Sequence, residues 1–298
     1  MEDHGETPAI EVDPDSTVRL LPRLPGRRGP LAVDASGAGV RTEGGDHMAS
    51  IERFDRVAVV AHWAPDSRIS RSVAELTSNL VNHGYQVLIA SSAEGGAQLE
   101  WPGGKPQNVT VLRRPNVGYD FGSWASALNR YPRISAADQV LLLNDSLAGP
   151  FEPIGSLLEH FDRSGADVWG MTDTCQFSPH LQSYCLGFKS GCLTEPALAG
   201  FWRDIRVERS RDDVIWRYEL GLGRLLQRER FSMDAAIRFK RVVQDGQNPT
   251  ILGWRRLLDL GFPFVKRQLL RQPEVAPDGS MVREVVERKF GVNLDEWL

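Results

Sequence analysis

The chain predicts an α/β fold, a mostly parallel sheet flanked by helices, with a helical carboxyl-terminal region. Two observations predict it. From Arg56 onward, apolar runs of strand length alternate with stretches of helical periodicity, the pattern of parallel strands joined by crossover helices. Two of those runs, Val109 to Leu112 and Val140 to Leu143, lead straight into polar clusters, Arg113 to Gly122 and Asn144 to Ser146. Ligands of open α/β sheets bind outside the carboxyl ends of the strands, so both clusters are expected on one rim.

Residues 1–50 are rich in Gly, Pro, Asp and Arg and carry neither period. Such a segment buries too little apolar surface to offset its ordering entropy, and a disordered extension is expected there. Met48 stands as an alternative start. Val57 to Val60 reads as the first strand, ending at His62 and Trp63, and Val73, Leu76, Leu80 and Val81 give a helix that Gly84 stops. Val87 to Ala90 is the second strand, Val109 to Leu112 the third and Val140 to Leu143 the fourth. Between the last two, Trp124, Ala127 and Leu128 suit a helix beginning near Gly122. Ile154, Leu157, Leu158 and Phe161 mark another, with Pro153 placed for its first turn, and Asp167 to Met171 reads as a fifth strand. Beyond Glu195 a mainly helical course is expected, around Phe201 and Trp202, Val214 to Leu226, and Trp254 to Leu260.

Composition narrows the function. The 298 residues hold 35 basic and 39 acidic side chains for a net charge of −4, which argues against a general nucleic-acid binder. No apolar run approaches the ~18 residues that a membrane-spanning helix needs, and the first residues lack the basic and apolar segments of a secretory signal. Cys175, Cys185 and Cys192 are odd in number and fit no zinc spacing. A cytoplasmic protein with reduced thiols is the expectation.

The polar clusters admit both plain and chemical readings. Asn144, Asp145 and Ser146 favour a turn, because their side chains bond nearby backbone amides, and on the tripeptide alone the turn is the stronger reading. A carboxylate there can also hold a divalent cation against a diphosphate. Asn116 to Gly118 can reverse the chain with Gly118 at positive φ, while Asp120 beside Arg113 and Arg114 can meet a base or ribose. The spacing of Gly118 and Gly122 is not the dinucleotide fingerprint. Asp173 follows the fifth strand on the same rim, and His180 is free to contact phosphate or acceptor hydroxyls. Glu219, by itself, reads as a solvated helix residue, with a general base as the chemical alternative. Lys266, Arg267 and Arg271 read as a solvated face or as a contact for diphosphate or a lipid headgroup.

In order along the chain, several strings resemble the rhamnan-synthesis protein F family of bacterial glycosyltransferases. They are Val59-Val60-Ala61-His62, Arg114 to Trp124, Leu143 to Ser146 with Gly149-Pro150, and Asp167 to Asp173. His180 to Tyr184, Phe201-Trp202, Asn248-Pro249-Thr250 and Gly261 to Arg267 complete the series, which spans Arg56 to Arg271. The resemblance implies a GT-A-like, Rossmann-like fold and transfer of a sugar, often rhamnose, in surface-polysaccharide assembly. It implies that Asn116, Gly118, Asp120, Asn144, Asp145, Lys266 and Arg267 serve the nucleotide donor. Glu219 would be the catalytic base, with Asp173 and His180 beside the sugar or acceptor. Asn144-Asp145-Ser146 occupies the place of an Asp-x-Asp motif but retains one carboxylate, so Asp145 alone is left as a ligand for Mg²⁺ or Mn²⁺. Leu220 follows Glu219 where the broader family of transferases commonly has Asp.

The expected organisation is an extension over 1–50, a GT-A-like catalytic domain over 51–245, and a helical extension over 246–298 packed on it. The expected function is an inverting glycosyltransferase with a nucleotide-diphosphate sugar donor and a glycan or lipid-linked saccharide acceptor, touching the membrane peripherally at its inner face and binding no nucleic acid. The alternatives are a non-catalytic nucleotide-sugar or glycan-binding protein and an assembly partner in a polysaccharide-synthesis complex.

Overall fold

The computed structural model describes residues 29–298. Its strands are β1 Arg41–Glu43, β2 Arg56–His62, β3 Gln86–Ser91, β4 Val109–Arg113, β5 Gln139–Asn144, β6 Leu147–Ala148, β7 Val168–Thr174, β8 His180–Leu181, β9 Cys185–Lys189, β10 Met233–Ile237 and β11 Val265–Lys266. The α-helices are α1 Ala32–Ser36, α2 His47–Ser50, α3 Arg71–Asn82, α4 Tyr119–Arg130, α5 Gly155–Arg163, α6 Pro196–Arg203, α7 Arg211–Val214, α8 Leu220–Arg228, α9 Trp254–Asp259, α10 Arg267–Arg271 and α11 Val282–Phe290. A π turn, Ile215–Glu219, joins α7 to α8.

The main sheet runs in the order β1-β4-β3-β2-β5-β9-β7-β10, with β8 beside β7. Strands β4, β3, β2 and β5 pair in parallel. Strand β9 is antiparallel to both β5 and β7, and β10 is parallel to β7. Hence β4, β3, β2, β5, β7 and β10 all point one way, and β1, β8 and β9 oppose them. The expected α/β class, a mostly parallel sheet flanked by helices, and the five expected strands are present, with β1, β8 and β9 adding antiparallel pairs.

The central strands form because their apolar runs are continuous: β2 from Val57 to His62 and β5 from Val140 to Asn144 are buried throughout, as strands covered on both faces must be. Helix α3 starts where Ser70 accepts a hydrogen bond from Val73 N, an N-cap, and buries Val73, Leu76 and Leu80. Helix α4 starts at Tyr119, earlier than expected, because Gly118 takes φ +79° and turns the chain directly into it. A Cβ on Gly118 would meet Gly122 Cα at 3.2 Å and Ala32 Cβ at 3.3 Å, so glycine is needed twice over. Trp124, on this helix, is fully buried and donates to Leu143 O at 2.9 Å.

Two expectations are corrected. Residues 29–50, expected to be disordered with the rest of 1–50, carry α1, β1 and α2; residues 1–28 lie outside the described residues. Charge and main-chain pairing order them together with apolar burial, Ala32 and Met48 joining the main core. Strand β1 pairs antiparallel with β4, and Glu43 pairs with the buried Arg113 at 3.1 Å. Ser36 accepts from Arg114 Nη2 at 3.1 Å. The mainly helical course beyond Glu195 is interrupted by β10, whose Met-Asp-Ala-Ala-Ile sequence lacks strand character and whose place depends on pairing with β7.

Residues beyond Trp254 gather an apolar cluster of their own around Ala148 and Phe151, including Trp254, Leu258, Val265, Leu269, Val286 and Trp297. Strand β11 pairs with β6, setting Lys266 opposite Leu147. The carboxyl-terminal region thereby reaches the end of β5.

Replacing Glu43 with alanine removes the partner of a nearly inaccessible guanidinium. Breaking a buried pair typically costs about 3–5 kcal/mol, and Arg113 retains acceptors at the Ala93, Gly95 and Ala97 carbonyls. The expected loss is therefore about 2–3 kcal/mol, at or below the low end of that range, read as a shifted urea midpoint with an unchanged slope.

Candidate functional site

The strand order reverses at β2. Strands β3 and β4 follow on one side and β5 lies on the other, which makes the carboxyl ends of β2 and β5 a topological switch point. An open cavity of about 1540 Å³ lies there. Its lining includes His62 and Trp63 after β2, Ser70 and Arg71 at the start of α3, and Asn116, Tyr119 and Asp120 at the start of α4. Asp145 and Ser146 after β5, Arg211 on α7, and Lys266 and Arg267 complete its inner wall.

The floor is a hydrogen-bonded hub. Asn144 Nδ2 donates to Asp120 Oδ2 at 2.7 Å, and Asn144 Oδ1 accepts from Ser146 N at 3.1 Å and from Ser146 Oγ at 2.6 Å. Asp145 Oδ2 accepts from Trp63 N at 2.8 Å across the switch point. Lys266 Nζ reaches Ser146 Oγ at 3.4 Å and lies 5.2 Å from the centroid of the Tyr184 ring. Arg267 is held by Ser70 Oγ at 2.9 Å and by Leu147 O at 3.3 Å. Basic lining residues outnumber acidic ones, with Arg68, Arg271 and Arg283 adding to those already named. In a chain of net charge −4, this makes the cavity a local attractor for anions.

Ionisation follows from this packing. Burial, with the Asp145 charge, pushes Asp120 up to about 7, against the Asn144 hydrogen bond and the Lys266 charge. Burial holds Lys266 below the usual lysine range, with the Glu219 and Asp120 charges opposing. Burial likewise lowers His62, against Asp145 and with Arg267 and Arg113 adding to the effect, while His62 Nδ1 meets Ser91 Oγ at 3.0 Å.

The cavity gathers Asn116, Asp120, Asp145, Lys266 and Arg267 of the expected donor residues, and Asn144 and Gly118 lie directly behind them. Glu219 and His180 form a neighbouring pair. Glu219 Oε1 lies 3.6 Å from His180 Nε2 and accepts from Ser183 N at 3.2 Å. Burial raises Glu219, but His180, Lys266 and the Ser183 N–H together bring it below the usual glutamate range. His180 Nδ1 faces Ser178 O at 2.7 Å; a carbonyl only accepts, so this nitrogen carries a proton. Glu219 is the last residue of the π turn, a helical irregularity that recurs at functional sites.

Asp173 is placed elsewhere. Its Oδ1 accepts from Phe239 N at 2.6 Å and its Oδ2 pairs with Arg238 at 3.2 Å, so it ties β7 to the segment after β10 and is absent from the cavity lining. Arg113 and Arg114 are spent on structure, the first on Glu43 and three carbonyls, the second on Ser123, Ser36 and Val117. Trp63, Tyr119 and Arg211 line the cavity without having been expected there. Nothing local in the sequence marks Arg211, whereas Trp63 is marked by its place at a strand's carboxyl end. Tyr119 takes φ +53° and is 45% exposed at the cavity, an unfavourable conformation for an aromatic residue.

Among the described residues no three His, Cys, Asp or Glu side chains converge as a metal cage. Of the four acidic side chains that line the cavity, Asp66, Asp120, Asp145 and Glu296, Asp120 and Asp145 lie on its floor, a donor set of the kind Mg²⁺ uses when substrate phosphates supply its other ligands.

The family model for "Rhamnan synthesis protein F" matches residues 107–294. Virulence protein VirA of Vibrio anguillarum (strain ATCC 68554 / 775) is 29% identical over 225 residues, covering 64% of this chain and 71% of that protein. Protein y4gN of Sinorhizobium fredii (strain NBRC 101917 / NGR234) is 24% identical over 154 residues, covering 50% of this chain and 40% of that one. The matched span runs from just before β4 to the final turn and takes in Asn116, Asp120, Asp145, Glu219, Lys266 and Arg267: the chain belongs to the rhamnan synthesis protein F family.

Proposed function

We propose that the protein is an inverting glycosyltransferase that moves a sugar, rhamnose being the family's indication, from a nucleotide-diphosphate donor to a glycan or lipid-linked acceptor in surface-polysaccharide synthesis. The observation that carries this reading is the basic cavity at the switch point, with Lys266, Arg267 and Arg211 around Asp145. Family membership supports a role in polysaccharide synthesis. Among the described residues no helix is long and apolar enough to cross a membrane.

In the proposed reaction, Glu219 takes the proton of an acceptor hydroxyl as its oxygen attacks the anomeric carbon. The bond from that carbon to the donor's phosphate oxygen breaks, and the diphosphate leaves with the electron pair. Positive charge on Lys266, Arg267 and Arg211 stabilises it there, an electrostatic contribution that grows as the reaction proceeds. Asn116 and Asp120 would hold the nucleoside. A divalent cation, if carried by the donor, would be held by Asp145 and would neutralise the same diphosphate.

One observation favours a second reading. Glu219 is engaged by His180 and Ser183 and does not itself line the cavity, as in a protein that binds a nucleotide-sugar or glycan without turnover. Replacing Glu219 with glutamine separates the two. Loss of a general base costs ~10²–10⁴-fold in rate, with calorimetric donor affinity unchanged; full activity in the variant excludes Glu219 as the base.

Calorimetric titration with a panel of nucleoside diphosphates and their sugars, with and without Mg²⁺ or Mn²⁺, tests the donor site. One nucleotide should bind, and Asp145→Ala should remove any dependence on the cation. Binding to none of the panel by folded protein would defeat the donor reading.

The elevated Asp120 adds a pH dependence. Below about 7 its carboxyl is protonated and neutral; above, a second negative charge beside Asp145 repels the diphosphate. Without divalent cation, donor affinity should fall about three- to tenfold between pH 6 and pH 8, the size of one screened charge at this range. The same titration with Asp120→Asn should be flat, and an equal slope in both proteins would assign the effect to another group.

A further inference from the structure

Two segments of the chain meet twice. The stretch that leads from β7 into the first residue of β8 and the π turn bring His180 and Glu219 within 3.6 Å. The same two segments bring the rings of Phe177 and Trp216 to 5.1 Å between centroids, inclined at 48°. Glu219 therefore has the aromatic pair on the segments that carry it and its histidine, and Lys266, a cavity-lining cation, close enough to influence its ionisation.

Phe177 does not behave as a packing residue. It keeps 54% of its surface exposed among the described residues despite its partner. Its backbone takes φ +67°, a left-handed conformation unfavourable for a bulky side chain and found where the surroundings impose it, often at ligand sites. The surroundings are firm: Gln227 Nε2 donates to Pro179 O at 3.0 Å, His180 holds Ser178 O at 2.7 Å, and Arg224 Nη2 donates to Trp216 O at 3.0 Å. An exposed apolar surface on a braced loop is a prepared contact surface.

We infer that Phe177 and Trp216 form an acceptor subsite that stacks one pyranose ring of the glycan acceptor and so presents a ring hydroxyl to Glu219. A pyranose ring has a face of C–H groups that matches an aromatic ring, and a rim of hydroxyls that needs polar partners. Phe177 and Trp216 supply the first, and the carboxylate of Glu219, oriented by His180, supplies the second within the same pair of segments. Aromatic rings give large contact area at little cost in rotamer entropy. The inference rests on the proposed transferase reading for the identity of the acceptor, and it adds where that acceptor sits.

The test is saturation-transfer NMR with methyl pyranosides and with rhamnose- and glucose-containing oligosaccharides, on the full chain and on Phe177→Ser, Trp216→Ala and Trp216→Phe. Donor affinity is measured on the same samples by calorimetry. At least one saccharide should receive saturation mainly on one C–H face. Its affinity should fall about tenfold in Phe177→Ser and Trp216→Ala and recover largely in Trp216→Phe, with donor affinity unchanged throughout. Phe177 is exposed, so its serine variant folds even if Trp216→Ala does not.

Saccharide binding that is equally strong in the serine and alanine variants overturns the subsite. So does donor binding without any saccharide binding by the parent protein, or self-association that buries the aromatic pair with no saccharide bound. Aromatic-dependent saccharide binding with no donor binding leaves the subsite standing and defeats the transferase reading.

Discussion

The cleft depends on one amide. Asn144 donates to Asp120 and accepts from the Ser146 backbone and hydroxyl, joining the end of β5 to the start of α4 while fixing the turn that carries Asp145. A carboxylate of the same size could accept from Ser146 but could not donate to Asp120. It would also place a third negative charge beside Asp120 and Asp145, where burial and mutual repulsion already raise Asp120 to about 7. Asparagine in place of an acidic residue is thus the choice that lets two neighbouring carboxylates coexist. The turn reading of this tripeptide describes these bonds, and the same turn sets Asp145 at the cavity.

Charge is then balanced across elements far apart in sequence. Lys266 and Arg267 come from the carboxyl-terminal region, delivered by the short pairing of β11 with β6 and by an apolar cluster that closes with Trp297. Burying an ammonium is costly unless carboxylates face it; here Glu219 and Asp120 offset the burial of Lys266. The same cations make an acidic protein present a basic cavity. The terminal region is therefore part of the site's electrostatics as well as of its walls.

Legibility followed burial. Strands β2, β3, β4, β5 and β7 were readable because both of their faces are covered, which leaves continuous apolar runs. Strand β1 and helix α1 were not, because only isolated apolar residues such as Ala32 reach the core, and the rest of their order comes from Glu43 meeting Arg113 and Ser36 meeting Arg114, pairings between residues that look solvated one at a time. The rim clusters were readable from the strand-end rule, and five of the expected donor residues do line one cavity. Asp173 obeys the same rule, yet Arg238 and Phe239 occupy its oxygens, and those directly follow the unforeseen strand β10. A rim position becomes a site position only after every neighbouring element is known.

The helix that carries Glu219 shows how the last adjustment is made. Helix α7 buries Val214, and helix α8 buries Leu220, Leu222 and Leu226. An unbroken α-helix turns about 100° per residue, so the apolar faces of two helical pieces stay aligned only if the residues between them add up. The π turn over Ile215–Glu219 accommodates one more residue than an α turn. It lets Tyr218 and Leu220 remain buried while Glu219, between them, turns toward His180 and Ser183. Trp216, in the same turn, is brought against Phe177. The irregular segment thus holds both an apolar face against the core and a carboxylate beside its histidine.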